Sequence, residues 1–182
     1  MKALSDIVVI DTEAGGLDPL VHSLLSVGLV TAEGDRSTEF FVREPEIAVS
    51  AGGMAVNRID LRRVEAEGLS PGAAVDALEA FLAPFERPML CGHNIAFDLA
   101  YLRRLYRVAG REMPKSLIHR TVDTHSLMWA LRVQNRLPAH VTGSDAAFAH
   151  FEITPPPELR HTALGDALAT RLLLVRLLEC FG

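Results

Sequence analysis

Residues 7–17, IVVIDTEAGGL, constrain the fold of this chain more than any other stretch. Four consecutive β-branched aliphatics, Ile7 to Ile10, predict a strand buried on both faces. The run ends in Asp11-Thr12-Glu13. Residues two apart on a strand share a face, about 7 Å apart. Asp11 and Glu13 should therefore stand side by side at the edge of an apolar core. Two carboxylates this close resist ionising together. A divalent cation that favours oxygen ligands, Mg²⁺ or Mn²⁺, would relieve the repulsion. The plainer alternative is a strand that leaves the core through two polar residues. Gly15-Gly16 then turn the chain.

With 182 residues, the chain is long enough for one well-packed domain and awkward for two, so residues 1–182 are expected to form a single domain. An apolar fraction of 49% is that of a globular protein. No apolar run approaches the ~20 residues of a membrane span. The opening MKALSD has no signal-peptide core. The expected location is therefore cytoplasmic. Cys91 and Cys180 fit no metal spacing, and reduced core thiols are expected. A net charge of −5 leaves no global basic field to hold a long nucleic acid. A polyanionic substrate would need bound metal or a local basic patch.

Along the chain, 23–31 (SLLSVGLVT) and 37–42 (STEFFV) read as further strands. Short turns join them, so the three strands should form an antiparallel meander. Residues 43–71 are mixed, with Gly52-Gly53 and Pro71 as breakers. A helix is expected over about 73–85, then a short strand at 89–91. The next helix has Asn94 as its N-cap, apolar residues from Phe97 to Val108, and a stop at Gly110. Asp98 falls on its inward face. Burying that carboxylate unpaired would cost several kcal/mol, on the order of a small domain's whole stability, so an Arg or a metal should meet it. Residues 103–120 are locally basic, either a solvated helix face or a phosphate contact.

Residues 121–123 (TVD) read as a strand or its end, with Asp123 equally placed to act as an N-terminal acid for a helix over about 124–133. Trp129 is expected in the core. Ser144 or Asp145 should cap a short helix ending near Phe151. The triple proline at 155–157 favours an extended segment. Thr162 should cap a last helix over 163–180, apolar nearly all round from Leu172 to Leu178, as for a helix buried on two sides and available to a partner chain. His161 and Asp166 can serve one site only if His161 lies on the loop before that helix, because residues five apart on a helix diverge by about 140°.

Asp11, Glu13, Asp98 and Asp166 thus lie at the ends of separate elements, with His161 beside the last. Four acids on core-facing elements fit a two-metal site. The histidine's ordinary pKa near ~6.5 suits it to take a proton from water. Removing these four acids would take the net charge from −5 to −1. The metal-free site should repel phosphate and the loaded site accept it.

These residues carry a family resemblance. DTE at 11–13, GHNIAFD at 92–98 and HTALGD at 161–166 resemble, in order and spacing, the three motifs of the DnaQ-like 3′–5′ exonucleases of the DEDDh group. The look is nearest to the polymerase III epsilon, proofreading type. The resemblance implies an α/β, ribonuclease H-like mixed sheet, a three-stranded antiparallel meander plus parallel strands, flanked by helices. It implies Asp11, Glu13 and Asp166 as ligands of one metal, Asp11 with Asp98 around a second, and His161 as general base. The catalytic set is then His161, Asp11, Glu13, Asp98 and Asp166, holding two divalent cations, Mg²⁺ or Mn²⁺.

By the same resemblance Thr12, Ala14, Gly15 and Leu17 lie against the 3′-terminal nucleotide. Leu17 stands beside the last base, unless it is a plain core leucine. His93 and Asn94 act as capping and supporting groups near the substrate. The chain departs from the family at Ala14-Gly15, where hydroxyl residues are common, and at Gly165, often acidic. The expected activity is hydrolysis of phosphodiester bonds at the 3′ end of single-stranded nucleic acid, DNA by preference, releasing 5′-monophosphates. Expected partners are that 3′ end, a polymerase or other protein, and a second copy through the last helix. The alternatives are an exoribonuclease like RNase T or oligoribonuclease, and a non-catalytic binding or assembly module. A metal-dependent endonuclease is disfavoured by the His161–Asp166 spacing.

Overall fold

The computed structural model describes residues 4–57, 59–155, 159 and 162–182. The expectations for His161 and for the second and third prolines of 155–157 lie outside these residues.

Strand β1 (Ile7–Ala14) is central in a five-stranded sheet ordered β3-β2-β1-β4-β5. The expected meander is present: β1 pairs antiparallel with β2 (Leu24–Thr31), which pairs antiparallel with β3 (Ser37–Phe41). On the other side β1 pairs parallel with β4 (Met89–Gly92), and β4 with β5 (Thr121–Asp123). This is the mixed sheet of the ribonuclease H-like fold. Alternation along β1 feeds two cores. Val8, Ile10 and Ala14 join a cluster with helices α3 (Pro71–Leu82) and α4 (Ala96–Val108). Ile7 and Val9 join another beneath helix α8 (Ala163–Cys180). Helices α6 (Thr124–Val133) and α7 (Ser144–His150) pack on α8 in a third cluster. Each fully buried leucine in these clusters, such as Leu78, Leu102 or Leu173, contributes about 2 kcal/mol.

Several expectations need correction. Strand β1 carries Asp11 and Glu13 as strand residues, as expected, but the expected turn at Gly15-Gly16 is preceded by a register shift between Glu13 and Ala14. The mixed segment 43–71 contains two helices, α1 (Ala51–Asn57) and α2 (Leu61–Glu67). Gly52 and Gly53 lie inside α1 rather than breaking it; Gly53 lets the helix approach the Gly15 carbonyl, which a Cβ there would strike. Pro71 is the first residue of α3 under a Ser70 cap, a position where its missing N–H costs nothing. Asn94 does not cap α4. It takes a left-handed φ of 59°, and Ile95 stands at the cap position without a side-chain bond. Gly143, not Ser144 or Asp145, precedes α7. Trp129 is 59% exposed, on the face of α6 turned from α8.

Helix α8 keeps its expected bounds and its Thr162 cap, whose hydroxyl accepts from Gly165 N–H at 3.0 Å. Short helix α5 (Ser116–His119) leads into β5. Cys91 is buried and free, and burial pushes its thiol up to about 12, so it stays a protonated core residue. Cys180 is free and half-buried.

The close seating of α8 depends on Gly28, which pairs with Asp11 across β1 and β2. A Cβ there would fall into the Ala163 carbonyl and the Leu164 amide. Gly28→Val is therefore expected to cost about 3 kcal/mol in urea unfolding. Gly72→Ala in α3, with open space around the new methyl, is expected to raise stability by ~0.5 kcal/mol. Equal effects at the two positions would contradict the packing.

Candidate active site

Asp11 and Glu13 leave the same face of β1, toward α8, as their spacing requires. Gly28 opposite Asp11 admits the start of α8, and the first turn of that helix brings in Asp166. The three acids offer carboxylate oxygens that all lie within 4.8 Å of one another. Asp98 enters from α4 and is 4% exposed. Its partner among the side chains is Thr12, whose Oγ1 donates to Asp98 Oδ1 at 2.7 Å.

Burial, then the charges of Asp98, Glu13, Asp166 and Glu39, hold the Asp11 carboxyl well above its usual range. Burial, then Asp166, Asp98 and Glu39, push Glu13 up to about 8. Asp98 is raised to about 7, chiefly by burial, against the opposing hydrogen bond from Thr12. Such a cluster is strained as anions and hard in chemistry: oxygen donors only, closely grouped, with excess negative charge. It suits a divalent cation of the Mg²⁺ or Mn²⁺ kind.

Glu39 had no signal in the sequence, where it reads as one residue of an alternating strand. In the fold its Oε1 accepts from Leu164 N–H at 3.1 Å, anchoring the start of α8 while adding to the negative field.

Beside the acids lies a cleft of about 410 Å³. Thr12, Glu13, Ala14 and Leu17 form one side, with Val56 and Phe97 facing them. Leu17 is 86% exposed, so it is not a core leucine. Gly15 acts from behind: its carbonyl accepts from Ser50 N at 2.6 Å and Ser50 Oγ at 3.0 Å. Asn57, buried, donates from Nδ2 to the Ala14 carbonyl at 2.8 Å. The α1 side of the cleft was missed because its glycines read as breakers; the Gly15-Gly16 and Gly52-Gly53 pairs together were the available signal.

His93 and Asn94 stand at the ends of β4 and β5 rather than in the acidic cluster. His93 Nδ1 lies 3.0 Å from Thr124 Oγ1, its ring is edge-on to His125 at 5.5 Å, and burial lowers its pKa. Asn94 N–H donates to Asp123 Oδ1 at 2.8 Å. Asp123 fills both expected roles, ending β5 and capping α6 through the amides of His125 and Ser126.

Fold and acids together are those of an exonuclease domain. The chain belongs to the RNase T exonuclease family, whose model matches residues 8–174. It is 30% identical over 176 residues to a DNA polymerase III subunit epsilon-like protein of Rhodobacter capsulatus, a match over 94% of this chain and 23% of that relative. The chain thus spans about a quarter of that relative's length. E. coli exonuclease I in complex with a dT13 oligonucleotide superposes with a TM-score of 0.78 at 15% identity, over 94% of this chain and 40% of that one. The nuclease domain of 3′hExo, a DEDDh family member bound to rAMP, superposes with a TM-score of 0.73 at 14% identity, over 95% of this chain and 91% of that one. Among the described residues no helix is long and apolar enough to cross a membrane.

Glu13 and Asp98 titrate higher in the fold than their ordinary values of 4.5 and 3.8. Their protonated forms therefore stabilise the metal-free fold. That contribution is complete below the ordinary values and lost as pH rises through about 7 and 8. In EDTA, Tm should fall as pH rises from about 4 to about 8, and Glu13→Gln should flatten the fall. Mg²⁺ should raise Tm most at the alkaline end. A wild-type slope equal to that of the Gln variant would contradict this.

Proposed function

We propose that the chain hydrolyses phosphodiester bonds one nucleotide at a time from the 3′ end of single-stranded nucleic acid, DNA by preference, releasing nucleoside 5′-monophosphates. The observation that carries this reading is the half-buried group Asp11, Glu13 and Asp166, with the buried Asp98 behind it, beside an apolar cleft at Leu17. Asp11, Glu13, Asp98 and Asp166 would hold two divalent cations, Mg²⁺ or Mn²⁺. When bound, these supply Lewis-acid stabilisation of the phosphate and a more acidic water. His161, immediately before the Thr162 cap, takes the proton of the attacking water. Thr12, by bonding Asp98, holds that carboxylate in one orientation. Ala14, Leu17 and Phe97 shelter the last base, while the Gly15-Gly16 turn brings backbone close to the 3′ end.

Preference for DNA is supported by the 30%-identical epsilon-like relative. A second reading, trimming of RNA ends, is favoured by the rAMP bound to 3′hExo, which this chain matches over most of its length. Residues 1–182 act on this reading as one catalytic domain. A polymerase or another protein delivers the strand, and the exposed Leu172 on α8 offers an apolar contact for that partner or for a second copy. Sedimentation over a concentration series reads the second copy directly.

Single strands labelled at either end, matched in DNA and RNA, test the chemistry. Stepwise shortening from the 3′ end in Mg²⁺ or Mn²⁺ is expected, stopped by EDTA and faster on DNA. Internal cuts, or activity indifferent to EDTA, would contradict it. Asp11→Asn should abolish turnover with the fold intact. His161→Ala should lower kcat about 10²-fold with metal binding retained; an unchanged rate would remove His161 from this role.

A further inference from the structure

The β1–β2 loop, residues 15–23, carries Leu17 at the mouth of the cleft and has no secondary structure to hold it. Three side chains of α4 at a spacing of three reach the end of β1 and then this loop. Asp98 accepts from Thr12, where β1 is ending. Tyr101, fully buried, donates from Oη to the Gly16 carbonyl at 2.6 Å. Arg104 donates from Nη1 to the Pro19 carbonyl at 3.0 Å. Steps of three residues drift about 60° round a helix, and the contacts follow the loop as it leaves the sheet.

The outermost contact is itself anchored. Arg104 Nε and Nη2 donate to the Glu44 carboxylate at 2.8 and 2.7 Å, with side-chain exposures of 11% and 2%. Glu44 also accepts from Ser23 Oγ at 2.9 Å and Leu24 N–H at 3.2 Å, closing the far end of the same loop. A buried ion pair seldom stabilises a fold more than apolar residues of the same volume would, and its attested use is to fix one geometry. Arg suits this use better than Lys, since its planar fork serves Glu44 and Pro19 together.

We infer that Arg104, held by Glu44, is a positioning residue for substrate: it fixes the Leu17 loop in register with Asp98, so that one helix sets both the acids and the grip on the terminal nucleotide. The inference rests on the reading of this cleft as the 3′-end site. It separates two effects. Loosening the loop should weaken substrate binding and leave the acids as they are.

Glu44→Gln combined with Arg104→Met tests it, because it removes both buried charges while Gln keeps one accepting oxygen for Leu24 N–H and turns an amide N–H to the Ser23 hydroxyl. The double variant should melt near the wild type and bind Mn²⁺ equally. Its KM for a single-stranded oligonucleotide should rise about tenfold, with kcat within about threefold. Amides 16–22 should exchange hydrogen faster, while those of β1 stay protected. Arg104→Lys, which keeps the charge and loses the fork, should fall between. Unchanged KM with active wild type would overturn the positioning role. Unchanged loop exchange would overturn the brace whatever the activity. A wild type that shortens no 3′ end would instead overturn the reading of the cleft.

Discussion

The interaction on which this structure depends is the mutual repulsion of carboxylates placed inside it. Asp11, Glu13 and Asp166 are grouped half-buried at the edge of the core, and the buried Asp98 adds its field. Nothing in folding alone rewards that arrangement; burial and like charge both oppose ionisation. The fold nonetheless spends its most constrained positions on it. The central strand carries two of the acids, and α8 is seated against β2 at the one residue without a side chain, Gly28. A divalent cation bound there would turn this liability into working charge, which ties the cluster to the proposed hydrolysis.

The same logic explains how the site is held. Each acid is placed by an element that also has a core to fill: β1 by Val8 and Ile10, α4 by Tyr101, Leu102 and Leu105, α8 by Leu173, Leu174 and Leu177. Packing at crystal-like density fixes these elements to within fractions of an ångström. The loop carrying Leu17 has no regular secondary structure, and it is there that polar bonds, from Tyr101 and Arg104, do the holding. Precision at the acids thus comes from the core, and precision at the nucleotide grip from hydrogen bonds.

Much of this was legible in the residues. The aliphatic run of β1, the short turns of the meander and the Thr162 cap announced their elements because each rests on local chemistry. The acids were legible because charge on a core-facing element is costly and calls for a reason. What could not be read depended on distant partners. Gly53 sits in helix where α1 approaches Gly15 too closely for a side chain, which propensity cannot express. Asn94 turns left-handed because its N–H is claimed by Asp123, twenty-nine residues on. Trp129 looked like core by its type, yet α6 turns it outward and buries Met128 and Leu131 instead. Glu39 joined the site only through the pairing of β3.

The most direct measurement of the central claim is a titration of the chain with Mn²⁺ near neutral pH, followed by the electron paramagnetic resonance of the free ion. Binding in a ratio of two Mn²⁺ to one chain, displaced by Mg²⁺ and lost on replacing Asp166 with Asn, is the expected result. A free-ion signal that rises from the first addition, as if no protein were present, would contradict the account.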